Sequence, residues 1–321
     1  MRTVVLVTAI GTATSSTIVL RLKESMRYHI IGGDIFEKNQ VATAKDVDEF
    51  YTFPSAINEF DLYINFVISF CKEHNVKYYF ASIDEEIANL SNNREKFEAI
   101  GVSLCIPNHN LVITCHYKDI FSDWVKENIP EIFIKRYESF SEVEDMEFPL
   151  FLKPIEGRAS LGCRKIVNRK ALDELKNMGM DEEGFIIQEY IEGEIITVDL
   201  VRNANTGQSM QIQRVEELRN SNGCGIAVKI INDFRLTEIC NRLMVKLNLN
   251  GVANAEFFRE GSQYKIIEIN PRFSAGASFS CLAGCNVVIA ALDIAEGNEF
   301  KLGEPKIGMH LAKRYETYCM D

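Results

Sequence analysis

Several things are missing from this chain of 321 residues, and each absence narrows what it can be. No apolar run reaches the roughly 20 residues that a membrane-spanning helix needs. Met1-Arg-Thr leads straight into the strand-like Val4-Val-Leu-Val7 rather than a secretory leader, so a cytoplasmic protein with no membrane partner is expected. A basic surplus is missing too. The net charge of -11 argues against a nucleic-acid partner, because phosphate backbones are bound by excess Lys and Arg. After the first apolar run, Gly11-Thr-Ala-Thr-Ser-Ser16 lacks the repeated glycines of a dinucleotide loop, and no G-x-x-x-x-G-K-[ST] occurs anywhere, which speaks against NAD and excludes a P-loop. The nine cysteines show no metal-site spacing and read as reduced thiols; Cys281 and Cys285 fit a pair of small buried side chains on a helix. The five histidines are scattered, His116 reads as a surface residue, and no Ser/His/Asp or Cys/His nucleophile set stands out. There is no internal repeat and no low-complexity linker.

What is present is an ordinary globular balance, 46% apolar and 25% charged, with enough chain for two or three domains. The first hundred residues alternate strand and helix patterns: Thr3 to Thr8, His29 to Gly32 and Tyr78 to Ala81 as strands, Ser15 to Met26 and Leu62 to Glu73 as helices. This predicts a small doubly wound parallel sheet over 1–112. Asp84-Glu-Glu86 follows a strand end, where open sheets place ligands, although an acidic helix start explains it equally well. Beyond residue 112 the pattern becomes α+β. Thr114 to Asn128 reads as one helix carrying Lys118; Pro149 to Pro154, Lys165 to Val167 and Phe185 to Tyr190 read as strands, and Lys170 to Met178 as a helix.

The most informative feature is a pair of carboxylates. Val252-Ala-Asn-Ala-Glu-Phe-Phe258 and Tyr264-Lys-Ile-Ile-Glu-Ile-Asn270 are short apolar runs joined by a turn containing Gly261. Pairing Glu260 with Tyr264 across a three-residue loop sets Phe258 opposite Ile266 and Glu256 opposite Glu268. Ala255, Phe257, Ile267 and Ile269 would line one face, Phe258 and Ile266 the other. Like charges facing each other in an apolar sheet repel and lose hydration, so a cation is expected between them. A lone strand Glu is usually solvated; two of them opposed, with Asn270 on the same face, make three hard oxygen donors suited to Mg2+ or Mn2+. Arg272, just past Pro271, could meet an anion held by that metal.

Two other segments carry weaker signals. Glu156-Gly-Arg-Ala-Ser-Leu-Gly162 could aim backbone N–H groups, the Ser160 hydroxyl and Arg158 at a phosphate, yet alone it would pass for an ordinary turn. Lys153, in the apolar run before it, must reach water or hold a fixed anion. In Gln188-Glu-Tyr-Ile-Glu-Gly-Glu194, an extended segment followed by glycine and carboxylate could bind adenine and ribose.

Taken in order, Lys118, Lys153, the 156–162 loop, Gln188 to Glu194, Glu256, Glu268, Asn270 and Arg272 resemble the ATP-grasp superfamily. Phe148-Pro-Leu-Phe-Leu-Lys-Pro154, Gln188-Glu-Tyr-Ile-Glu-Gly-Glu-Ile-Ile-Thr-Val-Asp199 and Ile267-Glu-Ile-Asn-Pro-Arg-Phe-Ser-Ala-Gly276 look most like the branch near carbamoyl-phosphate synthase large subunits and single-chain carboxylate-amine ligases. The resemblance implies an ATP-grasp fold with a pre-ATP-grasp domain over 1–112, a lid subdomain over 113–190 and a large subdomain with the metal site over 191–321. It implies ATP, with Lys118 and Lys153 on the phosphates and Lys153 also near adenine. The loop with Gly157, Ser160 and Gly162 would close over the β- and γ-phosphates, Glu189 and the Ile191 backbone would meet adenine, and Glu194 the ribose. The spacing leaves Glu192 as a competitor for the ribose. Glu256, Glu268 and Asn270 would hold two magnesium ions, Arg272 and Lys153 would be catalytic, and Arg214 and Arg219 would contact substrate. The implied reaction is carboxylate activation through an acyl phosphate, then amide formation with a small-molecule amine, with release of ADP and phosphate. The alternatives are an ATP-grasp kinase, a carbamoyl-phosphate synthase-like enzyme using bicarbonate or a small carboxylate, or a non-catalytic nucleotide-binding protein. The length is short for a two-module carbamoyl-phosphate synthase and no glutaminase-like segment is seen, so a stand-alone ligase is expected, and the resemblance implies a homodimer.

Overall fold

The computed structural model describes residues 2–57, 60–157, 161–180 and 182–320. Its amino-terminal part runs β1 (Thr3–Thr8), α1 (Ala13–Ser25), β2 (Tyr28–Asp34), β3 (Glu49–Thr52), α2 (Phe60–Glu73), β4 (Val76–Phe80), α3 (Asp84–Asn92), α4 (Arg94–Glu98) and β5 (Ser103–Leu104). The strands form one parallel sheet in the order β3-β2-β1-β4-β5. The β-branched run of β1 is buried because helices cover both faces, as a parallel sheet requires. Thr12 starts α1 by accepting a 3.2 Å hydrogen bond from Ser15 N. The order reverses between β1 and β4, and the loops leaving those two strands, with Thr12, Ser82 and Asp84, flank the switch point. The edge strands β3 and β5 were not apparent in the periodicity.

Next come α5 (His109–His116), α6 (Lys118–Asn128), β6 (Arg136–Tyr137), β7 (Leu150–Pro154), β8 (Arg164–Ile166), α7 (Arg169–Asn177) and β9 (Phe185–Glu189). The single helix expected over 114–128 is broken at Tyr117, whose backbone is extended (φ -92°, ψ 119°). The cause is tertiary: Lys118 N donates to Ile155 O at 3.2 Å, so the second helix begins at Lys118 beneath the loop that follows β7. The four strands form a small antiparallel sheet, β6-β9-β7-β8, with its own core of Tyr137, Phe140, Leu150, Leu152, Leu172 and Ile187.

The remaining elements are β10 (Glu194–Arg202), β11 (Ser209–Arg219), β12 (Gly225–Ile231), α8 (Phe234–Lys246), β13 (Gly251–Glu260), β14 (Gln263–Asn270), α9 (Ala277–Leu282), α10 (Val287–Ala295) and β15 (His310–Ala312). Six of them make an antiparallel sheet in the order β14-β13-β10-β11-β12-β15. One apolar cluster runs from Val5, Val7 and Leu22 through Val287, Val288 and Ile294 to Val201, Ile212 and Val252, so the amino-terminal sheet and the six-stranded sheet share a core. No described helix is long and apolar enough to cross a membrane.

Candidate active site

Glu256 on β13 lies directly opposite Glu268 on β14. The register that achieves this differs from the one the turn suggests. Glu260 pairs with Gln263, not Tyr264, and Phe258 faces Lys265 rather than Ile266. Pairing on from there would miss Glu268 by one residue. A β-bulge between Glu256 and Phe257 restores the match by leaving Ile267 as the extra residue on β14. The bulge also exchanges faces: Ile266, with Phe257 and Ile269, enters the core, while Ile267 turns to the half-buried side shared by Glu256 and Glu268. A bulge releases backbone groups from the ladder, and here the Ile267 carbonyl accepts from Lys153 Nζ at 3.2 Å. The bulge thus brings Lys153 of the four-stranded sheet and the carboxylate pair to one place.

The electrostatics agree. Burial, reinforced by the facing Glu268 charge, pushes the Glu256 carboxyl up to about 7, with Arg219 pulling the other way. Burial pushes Lys153 down to about 8, opposed by attraction to Glu268 and reinforced by the nearby Lys118. A cationic lysine and two carboxylates surround a space where added anionic and cationic groups would satisfy one another. Lys118 leans toward the same region from the start of α6, its Nζ donating to Gly157 O at 2.8 Å and lying 3.4 Å from Ile155 O. Between the four-stranded and six-stranded sheets, Lys118, Phe121, Phe133, Lys153, Gln188 and Ile267 line a cavity of about 20 Å³. That volume is about what a single water needs.

Asn270 sits beside Glu268, donating to Oε1 at 3.1 Å, while its own oxygen accepts from Arg272 Nη2 at 3.2 Å. Arg272 reaches across to the amino-terminal domain, where Nε and Nη2 meet the two carboxylate oxygens of Asp84 at 2.6 and 3.3 Å. The acidic helix start noted in the sequence therefore has a partner 188 residues away.

Other expected positions are more dispersed. Glu189 accepts from Lys135 N at 3.0 Å, Ile191 lies half-buried in the linker between β9 and β10, and Glu194 opens β10 in an ion pair with Arg259. Glu192 is exposed. Gly157 and Gly162 both have positive φ, 133° and 79°; Arg158 and Ser160 lie outside the described residues. The two arginines named for substrate differ sharply. Arg214 is 1% exposed and bonded to Asp199 at 2.8 Å and Ser274 at 3.0 Å, whereas Arg219 donates to Glu256 Oε2 at 2.8 Å. Glu216, which no sequence signal singled out, is only 5% exposed and accepts from the Thr197 hydroxyl at 2.8 Å. Its place in Val215-Glu-Glu-Leu218, between the two arginines, was the one available hint. Among the described residues no group of three His, Cys, Asp or Glu side chains is arranged to hold a metal, so the carboxylate pair relies on other donors to complete a shell.

Gly193 shapes the linker leading into β10. A Cβ there would meet the Arg259 backbone oxygen at 2.9 Å, while one on Gly184 meets nothing within 4 Å. Gly193→Ala should therefore cost about 2 kcal/mol in urea unfolding, with Gly184→Ala within roughly 0.5 kcal/mol of wild type.

Comparison with known proteins decides the family. Residues 181–315 match the model described as "ATP-grasp in the biosynthetic pathway with Ter operon", and residues 5–105 match "PylC-like, N-terminal domain". The chain thus carries an ATP-grasp domain behind a PylC-like amino-terminal domain. It is 29% identical over 127 residues to the 3-methyl-D-ornithine--L-lysine ligase of Methanosarcina mazei, covering 40% of this chain and 32% of that protein. It is 24% identical over 250 residues to the carbamoyl phosphate synthase large chain of Clostridium acetobutylicum, covering 71% of this chain and 23% of that one. The chain thus spans a third or less of the length of these curated relatives. Among solved structures, biotin carboxylase from Campylobacter jejuni superposes with a TM-score of 0.74 at 16% identity, over 95% of this chain and 74% of that one. N5-carboxyaminoimidazole synthetase from Staphylococcus aureus, complexed with ADP, gives 0.73 at 14% identity, over 95% and 81%. These likenesses show an ATP-grasp fold preceded by an α/β domain.

Proposed function

We propose that this ATP-grasp protein is an ATP-dependent carboxylate-amine ligase. It would activate a small-molecule carboxylate as an acyl phosphate, form an amide with an amine, and release ADP and phosphate. The observation that carries the reading is the opposition of Glu256 and Glu268 beside the buried Lys153. The related methylornithine-lysine ligase and D-alanine--D-alanine ligase are named as carboxylate-amine ligases, which supports it. The division into 1–112, 113–190 and 191–321 is our proposed domain organisation, and it agrees with the three separate sheets. We also propose a homodimer, supported by the related biotin carboxylase domain described as a dimer.

The donor set fits magnesium. Two carboxylates, one of them pushed toward protonation by burial and its neighbour, call for a hard cation, and with Asn270 they leave room for phosphate oxygens and water. Two ions bound by Glu256, Glu268 and Asn270 would supply charge neutralisation for the nucleotide phosphates. Phosphoryl transfer needs position and positive charge more than covalent help, and the chain supplies both. Lys153 would place its charge on a phosphate oxygen and hold its place through the Ile267 carbonyl, while Lys118 would steady the loop of Gly157, Ser160 and Gly162 over the β- and γ-phosphates. Glu189 and the Ile191 backbone would meet adenine, and Glu194 or the exposed Glu192 the ribose. Arg272, anchored on Asp84, would present its remaining N–H groups to the transferred phosphoryl group, at the seam where the amino-terminal domain can bring a substrate. Arg214 is too deeply tied to Asp199 and Ser274 for direct contact and would instead support the floor.

Incubating the protein with ATP, Mg2+ and panels of carboxylates and amines tests the reading. Carboxylate-dependent ADP release, with a hydroxamate when hydroxylamine replaces the amine, is the expected result. A stable phosphorylated product would make it a kinase, carbamoyl phosphate from bicarbonate would make it synthase-like, and nucleotide binding without turnover would leave only a binding protein.

A further inference from the structure

We propose that Arg219 is a built-in counter-cation that competes with the divalent metal for Glu256, so that arrival of the metal releases a guanidinium at the rim of the site. This rests on the reading of Glu256 as a metal ligand. The geometry is specific. Arg219 ends β11, and the turn after it brings the Gly223 carbonyl back to accept from its Nε at 2.7 Å. The same side chain donates through Nη2 to Glu256 Oε2 at 2.8 Å, and its Nε lies 3.3 Å from Glu216 Oε2.

Glu216 is placed there deliberately by the backbone. Gly225, paired with Arg219 across the ladder, leaves space for the Glu216 head group: a Cβ there would come within 2.7 Å of both carboxylate oxygens and push them aside. Its Oε1 is satisfied by Thr197, yet Oε2 is buried with no hydrogen-bond partner among the described residues. A purely structural ion pair would be expected to satisfy both oxygens of such a buried carboxylate. Instead one cation is shared between Glu216 and Glu256, and Glu256 in turn faces Glu268.

A guanidinium and a divalent ion compete at Glu256: both draw on the charge of one carboxylate, and the two cations repel across a partly dehydrated site. In the metal-free state Arg219 supplies the charge that the carboxylate pair lacks. When metal takes the carboxylates, Nη2 gives up Glu256 but keeps its bond to the Gly223 carbonyl, and that bond, the one from Nε to the same carbonyl and the proximity of Glu216 hold the head group in place. Its planar fork then faces the site with open donors, a geometry suited to a carboxylate. Arg219 acts through Glu256 and is a positioning residue: it offsets part of the carboxylate charge of the metal-free site and makes its own availability depend on the metal.

Mn2+ alone, titrated into the metal-free full-length chain and followed by electron paramagnetic resonance, tests the competition. Arg219→Gln should bind Mn2+ about tenfold more tightly than wild type, because a charge-assisted competitor is gone. Arg219→Lys keeps the charge and should stay within about threefold of wild type. Equal or weaker Mn2+ binding by Arg219→Gln overturns the proposal, as does Arg219→Lys matching the gain of Arg219→Gln. Glu268→Gln serves as the separate control. If it binds Mn2+ like wild type, the metal reading itself falls, whereas lost binding there with no gain in Arg219→Gln rejects the counter-cation alone.

Discussion

Glu268→Gln is expected to lower carboxylate-dependent ADP release by about 10³-fold or more, equivalent to roughly 4 kcal/mol of barrier, while leaving the metal-free fold intact. The substitution is nearly isosteric and keeps an oxygen to accept the hydrogen bond from Asn270 Nδ2. What it removes is one of two charges that oppose each other in register. In metal-free buffer at neutral pH that relief is set against lost attraction to Lys153 and Arg272, so stability should stay within about 1 kcal/mol of wild type. With Mg2+ and ADP the two should separate. Wild type gains stability by binding only in its folded form, and the variant gains little. A variant that turned over at the wild-type rate would remove the metal assignment. One that simply unfolded would show the pair to be structural.

Lys153→Met should give a more stable protein that has lost its nucleotide. Lys153 is more than nine-tenths buried, and burial holds its ammonium down near 8, against 10.5 for a free lysine. The unfolded chain therefore binds this proton more tightly than the folded one. The cost is fully present below pH 8 and is recovered as pH rises toward 10.5. At pH 7 it amounts to about 3 kcal/mol, from which about 1 kcal/mol must be subtracted for the Ile267 carbonyl left without its donor. A net gain of about 2 kcal/mol is expected in denaturant titrations at pH 7, shrinking in a parallel series toward pH 10.5. Over the same pH range, ADP affinity should fall about 100-fold through loss of one charge-assisted contact. Unchanged ADP affinity would place the nucleotide elsewhere, and a stability difference independent of pH would mean that the lysine carries no burial cost.

The two effects share a cause. The two sheets hold charge that is only partly compensated on either side of a narrow gap, and ligands of the opposite sign would complete it. A protein that held this arrangement only for stability would do better with methionine and glutamine, so its retention in this chain is best explained by binding.

Much of this was legible in the residues. The parallel amino-terminal sheet followed from its alternating patterns, and β1 was read at Thr3–Thr8 as observed. The facing of Glu256 and Glu268 was also anticipated, but through a register that the structure corrects. The turn is one residue shorter than assumed, and the bulge at Ile267 compensates. A bulge has little local signature, since Ile266 and Ile267 are identical residues and only core packing decides which one turns inward. The helix break at Tyr117 was likewise hidden, because its cause is a hydrogen bond to Ile155, 37 residues further along.

The sequence by itself determined the main amino-terminal elements, the ATP-grasp resemblance and the chemical identities at the site: two carboxylates, an amide, an arginine and two lysines in a characteristic order. These are properties of local pattern and of residue type, which survive without knowledge of neighbours. Only the tertiary structure decided how the charges are paired. It joined Arg272 to Asp84 across two domains, buried Arg214 on Asp199, and set Arg219 between Glu216 and Glu256. Charge pairing depends on distance and dehydration, and both are fixed by strand register and domain packing rather than by the order of residues along the chain.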